Sequence, residues 1–254
     1  MEMNNKFYQF KNQTDNSSDL YVYGAITASK DDDWFSSESD VDLTDFKSVL
    51  DTLANNSILN IYVNSPGGSV FAASTMVSML QRAKETKNIT INAYVDGLAA
   101  SAASFLIMVA DTINVYQNSM LMLHKPISFA YGNALEMQKE IDTLNSIEDN
   151  IMIPLYEKKA KCTREKLKDL IFVESWLSAK EVDDLFCVNL LDCQKECDAS
   201  IDNAFLKYYK NVPQRFKKNA ELNCEPKQQN VVEKQNIDYS YFENKLKEMK
   251  GRKN

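Results

Sequence analysis

Ser101 and His124 are the side chains of this 254-residue chain whose types and positions point to nucleophilic catalysis. A serine hydroxyl attacks a carbonyl only with help. Acyl transfer needs a base to take its proton, N–H donors for the developing oxyanion, and a carboxylate to orient the base. Ser101 lies in Asp96-Gly-Leu-Ala-Ala-Ser-Ala-Ala-Ser-Phe105, where a strand-like run, Ile89 to Val95, gives way to small residues and then to Phe105-Leu-Ile-Met-Val-Ala110. Small neighbours on both sides leave room for a second backbone, although by themselves they equally describe close helix packing. His124 is the chain's single histidine, so any Ser–His mechanism must use it, although a lone histidine is more often structural. It ends the apolar run Met120-Leu-Met-Leu and precedes Lys125-Pro126. A third stretch, Ser65-Pro66-Gly67-Gly68, reads first as a strand–helix corner. Two glycines at a helix N-terminus also let backbone N–H groups point at an anion such as a tetrahedral oxyanion. The amide of Ala102, the residue after the nucleophile, is a natural second donor.

Other chemistries lack their residues. No G-x-S-x-G elbow, G-x-x-x-x-G-K-[ST] or G-x-G-x-x-G occurs, so neither a lipase-type hydrolase nor a nucleotide site has support. The 29 basic and 36 acidic residues give a net charge of −7, unlike a nucleic-acid binder with its basic face. The five cysteines, Cys162, Cys187, Cys193, Cys197 and Cys224, are odd in number and irregular in spacing. They read as incidental thiols rather than a disulfide framework or a zinc site, and no metal or cofactor is expected. The N-terminus has no basic-then-apolar signal, and the apolar run Leu98 to Ala110 is too short to span a bilayer. A cytoplasmic protein without membrane or nucleic-acid partners is expected.

The elements that must position these residues follow from periodicity. Residues 1–18 are polar and read as a loose arm. Asp19 to Thr27 is a first strand. Asp31, Asp32, Asp33, Glu38, Asp40, Asp42 and Asp45 lie in a stretch without basic residues, which reads as a solvated loop or, more sharply, as a docking patch for a basic partner. Asp42 is a helix N-cap, ahead of the stripe Phe46, Val49, Leu50, Leu53. Ser57 to Asn64 is a second strand, and Val70, Ala73, Val77 and Leu80 form the inner stripe of the next helix. Ile89 to Val95, Thr112 to Tyr116 and Ser119 to Leu123 are further strands. Strand–helix alternation with short connections predicts an α/β class with parallel strands. Asn133 to about Ala160 reads as one long helix with Leu135, Ile141, Leu144, Ile147, Ile151 and Leu155 on its apolar face and Pro154 as a kink or stop. Such a helix suits packing on another subunit. A short helix at Lys166 to Ile171, an extended piece at Phe172 to Trp176 and a last helix at Ser178 to Phe186, capped by Ser178, complete the body. Residues 193–254 read as a partly helical, mobile extension without chemistry. A short amphipathic helix is expected over Tyr239 to Met249.

Three blocks in this order and spacing, Asn64-Ser-Pro-Gly-Gly-Ser-Val70, Gly97-Leu-Ala-Ala-Ser-Ala-Ala103 and Met122-Leu-His-Lys-Pro126, resemble the Clp-type serine peptidases, the family of the ClpP proteolytic subunit. The resemblance covers about residues 19–192. It matches Ser101 to the nucleophile, His124 to the general base, and Gly68 and Ala102 to the oxyanion hole. The family's acid-x-aromatic-aliphatic-Ser-Ala motif falls on Glu174-Ser-Trp-Leu-Ser-Ala179, with Glu174 where the family usually has Asp. Asp169 is the fallback for the acid. The family's glycine near the end of the last helix is Phe186 here. Ile127-Ser-Phe-Ala-Tyr-Gly-Asn-Ala134, Glu-Ser-Trp and the added tail look more like ClpP-related proteases of phages and prophages, often linked to head maturation.

The resemblance implies a ClpP/crotonase-like spiral of ββα units with a projecting long helix, and homo-oligomeric rings stacked through that helix around a chamber. Polypeptide substrates would bind as an added strand. It also implies either an AAA+ ATPase partner or phage capsid or portal proteins as substrates. Three competing readings remain at this level. They are a crotonase-like acyl-CoA enzyme, a Ser–Lys peptidase using Lys125, and an inactive scaffold that keeps the fold.

Overall fold

The computed structural model describes residues 8–11, 16–29, 40–192 and 208–213. Its centre is a mixed sheet whose strands run mostly parallel. β1 (Tyr8–Lys11) pairs antiparallel with β2 (Ser17–Tyr23), so part of the expected loose arm is an edge strand. β2 pairs parallel with β3 (Ile58–Ser65), β3 with β4 (Thr90–Ala100), β4 with β5 (Thr112–Tyr116), and β5 with β8 (Asn189–Leu191). β8 is a strand that three residues of sequence could not announce. β6 (Met120–Leu123) runs parallel to the far end of β4 and antiparallel to β7 (Ser175–Ser178). β4 is therefore the element both halves share. Its first half pairs with β5 through Asn92 to Val95, and its last three residues, Leu98 to Ala100, pair with β6.

β4 extends five residues beyond the predicted Val95, because Leu98, Ala99 and Ala100 find ladder partners on β6 and are fully buried. The strand expected at Ser57 to Asn64 is β3, and it alternates: Leu59, Ile61 and Val63 are buried, and Asn60, Tyr62 and Asn64 face the other side. On that second face Tyr21, Tyr62 and Tyr94 stack across three strands, with centroids 4.7 and 4.8 Å apart, a cross-strand pairing that reinforces register.

Helices cover the core face. α1 (Leu43–Thr52) starts at Asp42, whose Oδ1 accepts from the Asp45 amide at 2.7 Å, and buries Phe46, Val49 and Leu50. Asp40 departs from the solvated-loop expectation. It is buried and accepts from the Ala25 amide at 3.3 Å; the acidic residues 31–33 and 38 lie outside the described residues. α2 (Val70–Lys87) is capped by Ser69 and buries Ala73, Val77 and Leu80. α3 (Ala103–Met108) is entirely buried.

The long helix is continuous but not uniform. It consists of α4 (Ala134–Ile147), a π-turn at Glu148–Met152, and α5 (Ile153–Glu157). In the π-turn the Ile153 amide bonds to Glu148 O, five residues back. The wider turn relieves Pro154, which has no N–H to give and whose ring would crowd an i−4 carbonyl. Asn133 and Glu136 form a capping box at the start of α4. Leu135 and Ile141 are exposed, while Ile147, Met152, Leu155 and Tyr156 are buried. Half of the predicted apolar stripe therefore faces the body, and half faces outward.

α6 (Arg164–Phe172) and α7 (Ala179–Leu185) complete the described body. The extended piece predicted at Phe172 begins later, at Ser175, since Phe172 ends α6. Phe186 adopts ordinary extended backbone at φ −133° and is fully buried against Tyr156, so a glycine is not needed there. The arrangement is an α/β fold of the ClpP-like type.

Candidate active site

The Ser101 corner joins β4 to α3. Its backbone is held on both sides: the Ser101 amide donates to Met122 O at 2.8 Å, and Ser101 O accepts from the Ser104 amide at 3.0 Å and from Ser104 Oγ at 2.6 Å. Ser104 Oγ also meets the Tyr156 hydroxyl at 2.7 Å. Within this frame Ser101 takes φ +51°, a left-handed conformation that costs an L-residue roughly 1–2 kcal/mol. Surrounding contacts must over-determine such a residue, and these conformations cluster at functional sites. Ser104 and Tyr156 are supports that sequence reasoning did not identify.

The Gly67–Gly68 turn lies directly against this corner. A Cβ on Gly67 would sit 2.7 Å from Ala100 O, 2.8 Å from Ser101 Cβ and 3.1 Å from the Ala102 amide. A Cβ on Gly68 would be 2.2 Å from Ile26 O. Gly67 has φ +97° and Gly68 +142°. Ile26 clamps the turn from its other side, its amide donating to Gly67 O at 2.8 Å and its carbonyl accepting from the Ser69 amide at 2.8 Å. Among the described residues neither the Gly68 nor the Ala102 amide is engaged by a protein acceptor.

His124 follows β6 and is 8% exposed. Its Nε2 lies 2.6 Å from Ser101 Oγ. For the hydroxyl to donate there, the ring proton sits on Nδ1. Burial pushes the imidazole's pKa below its ordinary value, and the charge of Glu174 partly offsets this. The neutral, proton-accepting form is therefore favoured. Lys125, the only candidate for a Ser–Lys pair, turns away: its Nζ is 2.8 Å from Glu148 Oε2 and lies over the Phe172 ring.

Glu174 stands at the reversal between α6 and β7, with φ +55°. The turn is tied by the Glu174 amide to Ile171 O at 3.3 Å and by Ser175 Oγ to Leu170 O at 2.8 Å. Its carboxylate is buried, and one oxygen, Oε1, accepts from Trp176 Nε1 at 3.3 Å and from the amides of Lys210 and Asn211 at 2.7 and 2.6 Å. Among the described residues no hydrogen bond joins it to His124, so Glu174 acts on the imidazole through its charge. Asp169, the alternative acid, is exposed on α6.

Lys210 and Asn211 belong to the extension to which the sequence reading assigned no chemistry. Six residues of it, 208–213, lie against the site, and the rest of 193–254 is outside the described residues. Tyr209 donates to Pro66 O, and its ring stands edge-on to His124 (5.3 Å, 83°) and to Trp176 (5.8 Å, 76°). Val212 is buried with Leu98, Ala100, Met120 and Met122. The one sequence signal was the apolar and aromatic run Ala204-Phe-Leu-Lys-Tyr-Tyr209 within a largely polar extension.

Among the described residues no grouping of His, Cys, Asp and Glu is arranged to hold a metal ion, and no helix is long and apolar enough to cross a membrane. Cys162 and Cys187 are free thiols; Cys193, Cys197 and Cys224 lie outside the described residues. The family model for Clp protease matches residues 24–185. That span runs from the end of β2 to the end of α7 and carries Gly68, Ser101, His124 and Glu174 in order. On this match, over well more than half its length, the chain belongs to the Clp protease family.

Proposed function

We propose that the chain is a serine endopeptidase in which Ser101 is the nucleophile and His124 the general base. The 2.6 Å contact between Ser101 Oγ and His124 Nε2, beside two unengaged amides, is the observation that carries this reading. Ser101 Oγ attacks a peptide carbonyl carbon while its proton passes to Nε2. The carbonyl oxygen, now negative, is received by the Gly68 and Ala102 amides. The imidazolium, stabilised by the nearby Glu174 carboxylate, then gives its proton to the leaving amine as the C–N bond breaks. Water, activated by the same imidazole, releases the acyl group from Ser101 and regenerates the hydroxyl.

A crotonase-like reaction would not need a serine and a histidine in contact. The Ser–Lys reading fails on the pairing of Lys125 with Glu148.

The substrates on this reading are unfolded polypeptides or phage capsid proteins, cleaved inside a ring of identical subunits. The Tyr131-Gly-Asn-Ala134 and Glu174-Ser-Trp176 sequences favour the phage-type subgroup over a subunit fed by an AAA+ ATPase. Exposed Leu135 and Ile141 on α4, at 65% and 51%, support subunit contacts through the long helix. Ser101→Ala is expected to abolish cleavage of fluorescein-labelled casein and of co-expressed capsid protein while native mass spectrometry still finds the assembly. Undiminished cleavage by that variant would remove Ser101 from the mechanism.

A further inference from the structure

We infer that residues 208–213 form a strap that completes the active site, with Tyr209 as a positioning residue that holds the His124 imidazole against Ser101. The inference rests on the serine peptidase reading and adds a segment from beyond the family match, which ends at residue 185.

The strap is fixed at three places. Its amides at Lys210 and Asn211 both donate to Glu174 Oε1, and Asn211 Nδ2 donates to Val173 O at 2.8 Å and Glu174 O at 3.3 Å. Val212 is buried in a small apolar cluster formed by the paired ends of β4 and β6, the two strands that deliver Ser101 and His124. Tyr209 bridges to the oxyanion turn through Pro66 O. These anchors grip the three parts of the site that must stay in register: the acid, the nucleophile strands and the Gly67–Gly68 turn.

Glu174 makes no hydrogen bond to His124, so the carboxylate does not fix the ring's angle. The Tyr209 ring does this by packing, edge-on at 83°, and itself packs edge-on with Trp176 at 76°. Edge-to-face contacts of this kind are directional, because a positive ring edge meets a negative face. The strap is also compatible with catalysis. With Tyr209 in place, the Ser101–His124 contact is formed and the Gly68 and Ala102 amides stay unengaged by protein. Burial and the Glu174 charge keep the Tyr209 phenol protonated, with the neighbouring Ser101 hydroxyl offsetting part of this, so it remains the donor to Pro66 O.

The test uses the full chain and two readouts, the rate of modification by a fluorophosphonate dye and turnover of labelled casein. Tyr209→Leu keeps apolar bulk but not the ring edge. It should lower kcat and the labelling rate about tenfold or more, with KM little changed, as expected when a catalytic group is misplaced by a fraction of an ångström. Tyr209→Phe keeps the ring and loses only the bond to Pro66 O, so its loss should be clearly smaller than that of Tyr209→Leu. Val212→Asp, which detaches the strap from its apolar seat, should reproduce the Tyr209→Leu loss. Thermal melting of each variant separates these effects from unfolding. Tyr209→Leu and Val212→Asp labelling at the parent rate would overturn the inference and leave the peptidase reading intact. Faster labelling in either would also overturn it, and would mark the strap as a cover. No labelling of the parent chain would overturn the peptidase reading and this inference with it.

Discussion

Ser101 and Glu174 share a backbone conformation, φ +51° and +55°, and differ in what holds them there. The Ser101 corner is built from ladder bonds, a buried helix and a turn of two glycines, all within the family-matched body. The Glu174 corner is tied locally to Ile171 O and Leu170 O, but its carboxylate takes its hydrogen bonds from Trp176, two positions on, and from residues 36 and 37 positions later in the chain. The nucleophile corner thus has steric determinants that nothing else can supply, whereas the acid corner depends on a peptide segment that must come back and dock. The first should fail all at once when altered, and the second should fail by degrees.

That contrast can be broken at either end. Gly68→Ala should have the largest effect. Its Cβ would meet Ile26 O at 2.2 Å from a backbone φ of +142°, so the turn must move away from Ser101. Fluorophosphonate labelling should drop below detection and the melting temperature should fall. A variant with parental labelling would show that the turn is not tied to the nucleophile. Glu174 comes next. Glu174→Ala should lower kcat/KM by orders of magnitude, up to the roughly 10⁴-fold loss seen when the orienting acid of a triad is neutralised. Glu174→Gln keeps an acceptor for the strap amides but loses the charge. It should lose as much rate as the alanine variant while melting close to the parent. Equal melting of the two variants would mean that the strap does not depend on that oxygen.

The pH profile gives the smallest but sharpest test. His124 faces Ser101, Glu174 and Tyr209, and burial holds its pKa below the ordinary histidine value of 6.5. Only the neutral ring accepts the serine proton, so kcat/KM should fall as pH drops through that depressed pKa. The acid limb should therefore have its midpoint below 6.5, measured on a short fluorogenic peptide. A midpoint above that value would mean that Glu174 outweighs burial.

The same contrast explains what the sequence disclosed. Gly67, Gly68, Ser101 and His124 were legible as a group because three short blocks in a fixed order carry them, although each alone had an ordinary structural explanation; the structure brings the glycine turn, Ser101 and His124 together. Asp42 and Ser178 were legible as caps from residue type and local position. Glu174 was found through its motif, but its partners were not, because hydrogen bonds from Lys210 and Asn211 are backbone contacts on which side-chain identity leaves no mark. The edge strands β1 and β8 were missed because they exist only through pairing with β2 and β5. Leu98 to Ala100 became strand because β6 offers them a ladder. Phe186 looked misplaced until Tyr156 and the core were seen around it.

The central claim is that Ser101 is a nucleophile activated by His124, and intact and peptide-level mass spectrometry after fluorophosphonate treatment tests it most directly. The account predicts a single adduct per chain, mapped to the peptide containing Ser101, absent in Ser101→Ala and strongly slowed in His124→Ala. An adduct elsewhere, or on Ser101 at the same rate without His124, would contradict it.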